Sequence, residues 1–354
     1  MHPIKKLSLI HPYLEGRRQD IANGLYPRQH LWGVEEIEKD QSWSSKIVET
    51  QNVRLHHFLE RILNRFLFRR SPGVKAEIAC WRAAQSSDLI YSVCGPLSLS
   101  RFYQRTKLIS WVFRMPQILT KQVFDPYSSK NLNSHSAFLC LTPDAERSFS
   151  KHSLSKFLPW CVDLELFDGR PPKEKPDSDF FLATGKTGRD YQTLIDGAAA
   201  VPTELRIIGP EEQRPKNLPS NVKWLNTTED PPDQAIDYPT LREWYAQCLA
   251  ICIPLCNDAE DTCGYTNMLE GMAMAKPVLM TSSGCLHINP GDHEFGVSIQ
   301  PEKASAWTSA MKQILDNPDQ AKRFGKNGRK IATEELSVTV FDRKIVDFIH
   351  EIIM

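Results

Sequence analysis

The chain has 354 residues, room for two domains that each bury their own core, and its 43 basic and 43 acidic side chains cancel to a formal charge of zero. No apolar run approaches the length of a membrane-spanning helix, and the neutral balance leaves no electrostatic footprint for nucleic acid. Nine cysteines are scattered without paired spacing, which fits reduced thiols in a cytoplasmic protein better than a disulfide framework. The charge is nevertheless uneven: residues 1–170 carry 24 basic against 16 acidic side chains, and the remainder 19 against 27. Two readings are open. Two differently charged surfaces face each other across a cleft, or a basic first domain meets anionic lipid or an anionic acceptor.

In chain order, the opening MHPIKKLSLIHP has a basic start and an apolar run too short for a signal peptide, and Lys6–Ile10 reads as a first strand. His11 follows it, at the end where a ligand cleft would open. Residues 17–46 lack clean periodicity and read as loop-rich. From Ile47 to Arg70 apolar residues recur at helical spacing (Val53, Leu55, Phe58, Leu59, Ile62, Leu63, Phe66, Leu67) beside Arg54, Arg61, Arg65, Arg69 and Arg70. This pattern describes a helix packed on a sheet with its arginines in water, the preferred reading, and also fits a helix lying on an anionic membrane. Strands follow at Asp88–Val93, Lys107–Phe113 and Ser136–Leu141, and Leu154–Val162 approaches the end of the domain.

The stretch DGRPPKEKPDSD, Asp168–Asp179, has proline and charge but no apolar face, and reads as a linker. A regular alternation follows. Strand Phe180–Thr184 leads through Gly185–Asp190 to helix Tyr191–Ala200, then to strand Glu204–Ile208, which ends in Gly209-Pro210. Strand Val222–Leu225, helix Leu241–Cys248, strand Ala250–Leu255, helix Thr266–Ala275 and strand Pro277–Thr281 come next. Helices at Lys303–Leu315, Gln320–Glu334 and Val340–Ile353 close the chain. Strands separated by helices of this length imply parallel sheets covered on both faces. Cys248, Cys252 and Cys256 cross a helix–strand boundary and are not expected to converge on a metal.

The densest chemistry lies in CNDAEDTCGYTNMLEGMAMAKPVLMT, Cys256–Thr281: an acidic, glycine-containing loop, a helix with one glutamate, and a turn into a strand. Amides at a helix N-terminus can take phosphate or sugar hydroxyls, and a carboxylate on that helix can hold a ribose diol, so the layout suits a sugar nucleotide. Lys186 and Arg189, set around Gly185 and Gly188 after a strand, can neutralise a diphosphate. GKTGR lacks the spacing of a nucleotide-triphosphatase phosphate loop. Glu270, flanked by Met268, Leu269, Met272 and Met274, sits on a helix that should be well buried, where a lone carboxylate needs a partner.

With these motifs in this order, the second half resembles the retaining glycosyltransferases of the two-Rossmann-domain (GT-B) type, specifically those like glycosyltransferase family 4, the glycosyl transferases group 1. The resemblance runs from about Cys161 to Glu335. Trp160-Cys161-Val162-Asp163 with Leu166-Phe167 looks like the family's end to its first domain, and FLATGKTGRDYQTL, Phe181–Leu194, like its phosphate loop. The span Thr262 to Glu270 matches its glutamate, seven residues, glutamate signature, followed by Gly271-Met272-Ala273 and Lys276-Pro277-Val278. Gly284 to Pro301 resembles a later glycine-rich segment.

The resemblance implies the following roles. Lys186 and Arg189 bind the donor diphosphate. Glu270 holds the ribose. Gly264 and Tyr265 meet the donor sugar and phosphate, Thr266 and Asn267 hold the phosphates, and Gly185 and Gly209 line the donor site. Thr262 stands where the family has its first glutamate, with Glu260 and Asp261 just before it as substitutes. His11, from its place after the first strand and not from the resemblance, is the first domain's candidate for an acceptor or phosphate role. The expectation is an α/β protein of two Rossmann-like domains facing across a cleft: an acceptor-binding domain at 1–170, a nucleotide-sugar domain at 171–338, and a C-terminal helix at 339–354 returning to the first. Its activity would be retaining, metal-independent transfer of a hexose from a nucleotide diphosphate sugar such as UDP-glucose to a hydroxyl acceptor, without a cofactor. The location would be cytoplasmic, with peripheral attachment to the inner face of a membrane. The alternative is a noncatalytic sugar-nucleotide-binding or scaffolding protein on the same fold.

Overall fold

The computed structural model describes residues 4–11, 14–103, 105–114, 124–225, 236–258, 262–283 and 287–353. The chain divides into two compact units, one of Met1–Arg18, His30–Pro159 and Phe341–Met354, the other of Gln19–Gln29 and Trp160–Val340. It therefore leaves the first unit ahead of the proline-rich stretch at 168–179.

The first unit contains β1 (Lys5–Ile10), α1 (Leu14–Ala22, whose last turn is counted with the second unit), α2 (Val34–Lys39), β2 (Trp43–Ile47), α3 (His57–Phe66) and α4 (Val74–Ala84). It continues through β3 (Leu89–Ser92), β4 (Lys107–Val112), α5 (Ser129–Leu132), β5 (Ala137–Cys140), α6 (Pro143–Phe149) and β6 (Leu154–Phe157). The six strands form one parallel sheet in the order β2-β1-β3-β4-β5-β6. Its central strands are buried on both faces, so Leu89–Ser92 and Leu108–Val112 are buried at every position rather than at alternate ones, and only Ser92 and Ser110 interrupt their apolar character.

Two expectations are corrected. Residues 17–46 are not loop-rich but carry α1, α2 and β2. The Ile47–Arg70 periodicity does not make one long helix packed on the sheet: α3 spans ten residues and none of them is fully buried. α3 is held instead by its polar side, where Asn64 Oδ1 accepts from the Val74 amide at 2.8 Å and Glu60 pairs with Lys75 at 2.7 Å.

The second unit contains β7 (Phe180–Thr184), α7 (Tyr191–Ala198), β8 (Glu204–Ile208), β9 (Val222–Trp224), α8 (Tyr238–Gln247), β10 (Ile251–Ile253) and α9 (Tyr265–Ala273). It ends with β11 (Val278–Thr281), β12 (Gly296–Ile299), α10 (Ala304–Asp316) and α11 (Pro318–Glu334). Its sheet is also fully parallel, in the order β12-β11-β10-β7-β8-β9. Because β8 and β9 lie on one side of β7 and β10 to β12 on the other, the strand order reverses between β7 and β10. In open α/β sheets the strand ends at such a reversal are where ligands bind.

The closing helix α12 (Val338–Ile353) begins in the second unit and continues in the first, where Phe341, Ile345, Phe348 and Ile349 are buried. Phe341 stacks on Trp111 with centroids 5.5 Å apart, and Trp32 meets Trp111 edge-on at 4.8 Å. Gly33 has φ 79° and lies under Ile345, where a Cβ would come within 2.9 Å of Cδ1. No helix among the described residues is long and apolar enough to cross a membrane.

Candidate donor-binding site

The reversal between β7 and β10 gathers the residues singled out by the sequence. β7 ends at Thr184, and the loop turns through Gly185 at φ 129° and Gly188 at φ 63°. Only glycine accepts both conformations without strain. At Gly185 a side chain would also collide with the Arg189 guanidinium. The loop is pinned to the strand beyond the reversal: Asp190 N donates to Pro254 O and Cys256 N to Gly188 O, each at 2.9 Å. The Asp190 carboxylate then caps α7 by accepting from the Thr193 amide at 3.1 Å.

Arg189 folds back into this turn. Its Nη1 donates to Thr187 O at 2.7 Å, Nε to Thr184 O at 3.3 Å, and Nη2 to Asn267 Oδ1 at 2.7 Å. All three acceptors are carbonyl oxygens. Among the described residues no carboxylate pairs with this cation, and burial lowers its pKa from the usual arginine range. Lys186 is exposed on the same turn, and its carbonyl accepts from Gln213 Nε2 at 2.9 Å.

On the other side of the reversal, α9 starts at Gly264, which has φ 78°. A Cβ there would lie 2.7 Å from Ile253 Cγ2, so glycine lets the helix begin against the end of β10. Among the described residues no side chain caps this N-terminus, and helix geometry leaves the first-turn amides without intrahelical acceptors. Asn267 links the two halves: Nδ2 donates to Thr184 Oγ1 at 2.8 Å and to the Tyr245 hydroxyl at 3.2 Å, while Oδ1 receives Arg189.

Glu270, one turn further on, is 1% exposed. Its Oε2 accepts from the Tyr245 hydroxyl at 2.8 Å. Burial, opposed by hydrogen bonds from Tyr245 and Asn267, pushes its pKa up to about 8. The carboxyl is thus held neutral around pH 7 without a cation beside it, a state a bound ligand could change.

The remaining candidates fall as follows. Thr262 accepts the Tyr265 amide through its carbonyl at 3.4 Å. The Tyr265 hydroxyl lies 3.3 Å from His287 Nδ1. Thr266 is half-buried on the first turn of α9. Gly209 is a packing glycine: a Cβ would approach Trp224 at 2.9 Å and Tyr191 at 3.1 Å. Glu260 and Asp261 lie outside the described residues, as does Gly284. His11 belongs to the first unit, where its Nε2 is 2.8 Å from His30 O and burial lowers its pKa. It lines a cavity of about 550 Å³ at the ends of β1, β2 and β3, together with Arg18, Glu49, Glu60, Asn64 and Lys75. Cys248, Cys252 and Cys256 do not form a metal cluster, and no cysteine among the described residues is in a disulfide.

Sequence reasoning missed Tyr245 and Thr184. The need for a partner to Glu270 was visible, but nothing local marks which of nine tyrosines supplies it.

Comparison with known proteins bears on the fold. Residues 189–317 match the family model described as Glycosyl transferases group 1. No curated protein matches the chain. Solved structures match it over nearly its whole length. The sucrose-phosphate synthase of Thermosynechococcus elongatus is 16% identical, covers 98% of both chains and has a TM-score of 0.64. A glycosyltransferase of Rickettsia africae is 12% identical, covers 99% of both and has a TM-score of 0.67. HepE of Anabaena, solved with UDP-glucose, is 15% identical, covers 98% of this chain and 99% of its own, and has a TM-score of 0.58. The fold is that of the GT-B glycosyltransferases. Within it, residues 189–317 are the part similar to the Glycosyl transferases group 1 model.

Proposed function

We propose that the protein is a retaining hexosyltransferase whose second unit binds a nucleotide diphosphate sugar at the β7–α9 junction. The observation that carries this reading is Arg189: a half-buried guanidinium with three carbonyl acceptors and no carboxylate among the described residues, tied to the first turn of α9. Such a cation keeps its full charge for an anion, and a diphosphate supplies one. Lys186 adds a second cation on the same turn, the first-turn amides of α9 add further donors, and Glu270 serves as the ribose anchor. In this reading Gly264, Tyr265 and Thr266 border the donor sugar and phosphates.

The acceptor hydroxyl oxygen forms its bond to the anomeric carbon on the face from which the diphosphate leaves. The bond from that carbon to the phosphate oxygen breaks, and the departing phosphate receives the hydroxyl proton. Arg189, Lys186 and the α9 amides stabilise the charge that develops on the leaving group, which is how this arrangement can act without a metal. HepE, solved with UDP-glucose, makes UDP-glucose the first donor to test. The cavity around His11 in the first unit is the proposed acceptor pocket.

Calorimetry with a panel of UDP- and GDP-sugars tests the donor site. Micromolar binding of one sugar nucleotide, lost in Arg189→Ala and Glu270→Ala, is expected; no binding across the panel sinks the assignment. Thr262, standing where relatives in the family carry a glutamate, favours a second reading, a noncatalytic donor-binding protein. Donor hydrolysis by the native protein, absent in Glu270→Ala, would exclude it.

A further inference from the structure

The first unit carries a surface that the transfer reaction does not use. α3 is amphipathic, but it is docked with its polar side inward and its apolar side outward. Asn64 and Glu60 hold it to α4, as described above, and both also line the cavity around His11. On the opposite face Phe58 and Phe66 are each 67% exposed, with Leu59 at 45% and Ile62 at 37%. An apolar cluster this dense on one short helix is not what an ordinary water-facing surface presents.

The rim of that cluster is basic. Arg54, Arg61, Arg65 and Arg69 are exposed, and Arg65 lies over the Phe66 ring at 5.6 Å. Arg70 is engaged with Asp125 and Glu60 with Lys75, so the one acidic residue of α3 is neutralised on its inner side. Exposed phenylalanine and leucine ringed by arginine match a helix that lies in the plane of an anionic bilayer, rings among the acyl chains and guanidinium groups at the phosphates. A second copy of the same face is a poor occupant, because a two-fold contact would bring two arginine rims together. We propose that α3 is a membrane-docking helix, and that it attaches the first unit peripherally to a bilayer rich in anionic lipid. The helix that lies on the lipid then also lines the cavity around His11.

The test uses the full chain and sedimentation with two kinds of vesicle, phosphatidylcholine alone and phosphatidylcholine mixed with phosphatidylglycerol. Binding to the mixed vesicles only, reversed by raising the salt, is expected. Phe58→Ser with Phe66→Ser should weaken that binding at least about tenfold. Arg61→Glu with Arg65→Glu should weaken it about twentyfold or more, since each cation near the surface contributes about fivefold. All four side chains are exposed, so donor binding and the thermal transition should be unchanged; if the serine pair fails to fold, the arginine pair still decides the question. Equal binding to both vesicles, or to neither, overturns the proposal. So does a concentration-dependent dimer that dissociates in the same variants, which would assign the face to a second copy.

Discussion

Arg189 donates through Nη2 to Asn267 Oδ1 at 2.7 Å, fastening the cation of the β7 loop to the first turn of α9 across the reversal in strand order. Together with the bond from Asn267 Nδ2 to Thr184 Oγ1, this bond ties the two halves of the proposed donor site to each other. Replacing Asn267 by alanine removes it, together with the bonds to Thr184 and Tyr245. The expected cost is about 1–3 kcal/mol in stability, read by denaturant titration. Donor affinity should fall with it. Arg189→Lys keeps the charge but loses the planar fork, so its donor affinity should lie between native protein and Arg189→Ala. Equal affinity in lysine and alanine variants would mean that geometry rather than charge is what the site uses.

Glu270 gives a prediction whose sign is fixed by its burial. The folded carboxyl titrates near pH 8, above the ordinary value of 4.5. Its favourable contribution is therefore fully present below pH 4.5 and is lost as the pH rises through 8. Across that window the unfolded chain has released a proton that the folded one retains, which lowers stability by about 1.4 kcal/mol per pH unit. Glu270→Gln abolishes this titration and should be more stable than the native protein near pH 8, in thermal melts across pH 5–9 (roughly the range in which folded proteins are well behaved). If Glu270 anchors the ribose as a carboxylate, donor binding at pH 7 must release its proton. Calorimetry in buffers of different ionisation enthalpy would then show up to about one proton lost per donor bound, and none in Glu270→Gln.

Much of this site was legible in the sequence because its elements are local. Phe180–Thr184 and Glu204–Ile208 are strands with the expected bounds, and α9 begins one residue before its expected start. The glycines and the two cations stand in one short loop and Glu270 in one short helix, each with a readable motif, and the pairing of β7 with β10 brings the two together. What sequence could not supply is set by tertiary contact. Tyr245 reaches Glu270 from α8, 25 residues away in the chain. The periodicity of 47–70 was equally visible, but a helical wheel does not say which side faces the protein. Two specific partners, the Val74 amide and Lys75, decide that it is the polar one. The region 17–46 has short elements whose burial comes from α12, residues more than three hundred positions downstream, as the contact of Gly33 with Ile345 shows.

Gly264 separates backbone strain from site function. Alanine there must hold φ near 78° and also meets Ile253, so a loss of about 2 kcal/mol or more is expected, with weakened donor binding as the start of α9 shifts. Gly24 is the matched control. It has φ 69° with open space around it, and Gly24→Ala carries the strain without the collision. That variant should lose about 1–2 kcal/mol and bind donor normally. The same fall in donor affinity in both variants would show that stability, not the position of α9, governs binding.

Phe341 tests whether the two units stand on their own cores. Its ring is 2% exposed and stacks on Trp111 in the first unit, on a helix whose buried Ile345, Phe348 and Ile349 belong to the same core. Phe341→Ala leaves a cavity beside two tryptophans, and large-to-small changes of this kind cost about 3–5 kcal/mol. The cost should be confined to the first unit. Hydrogen exchange should then show loss of protection in β1, β3 and β4, while β7, β10 and β11 keep theirs and donor binding is retained. A uniform loss across both sheets would instead mean that the units unfold as one, and α12 would be the element that couples them.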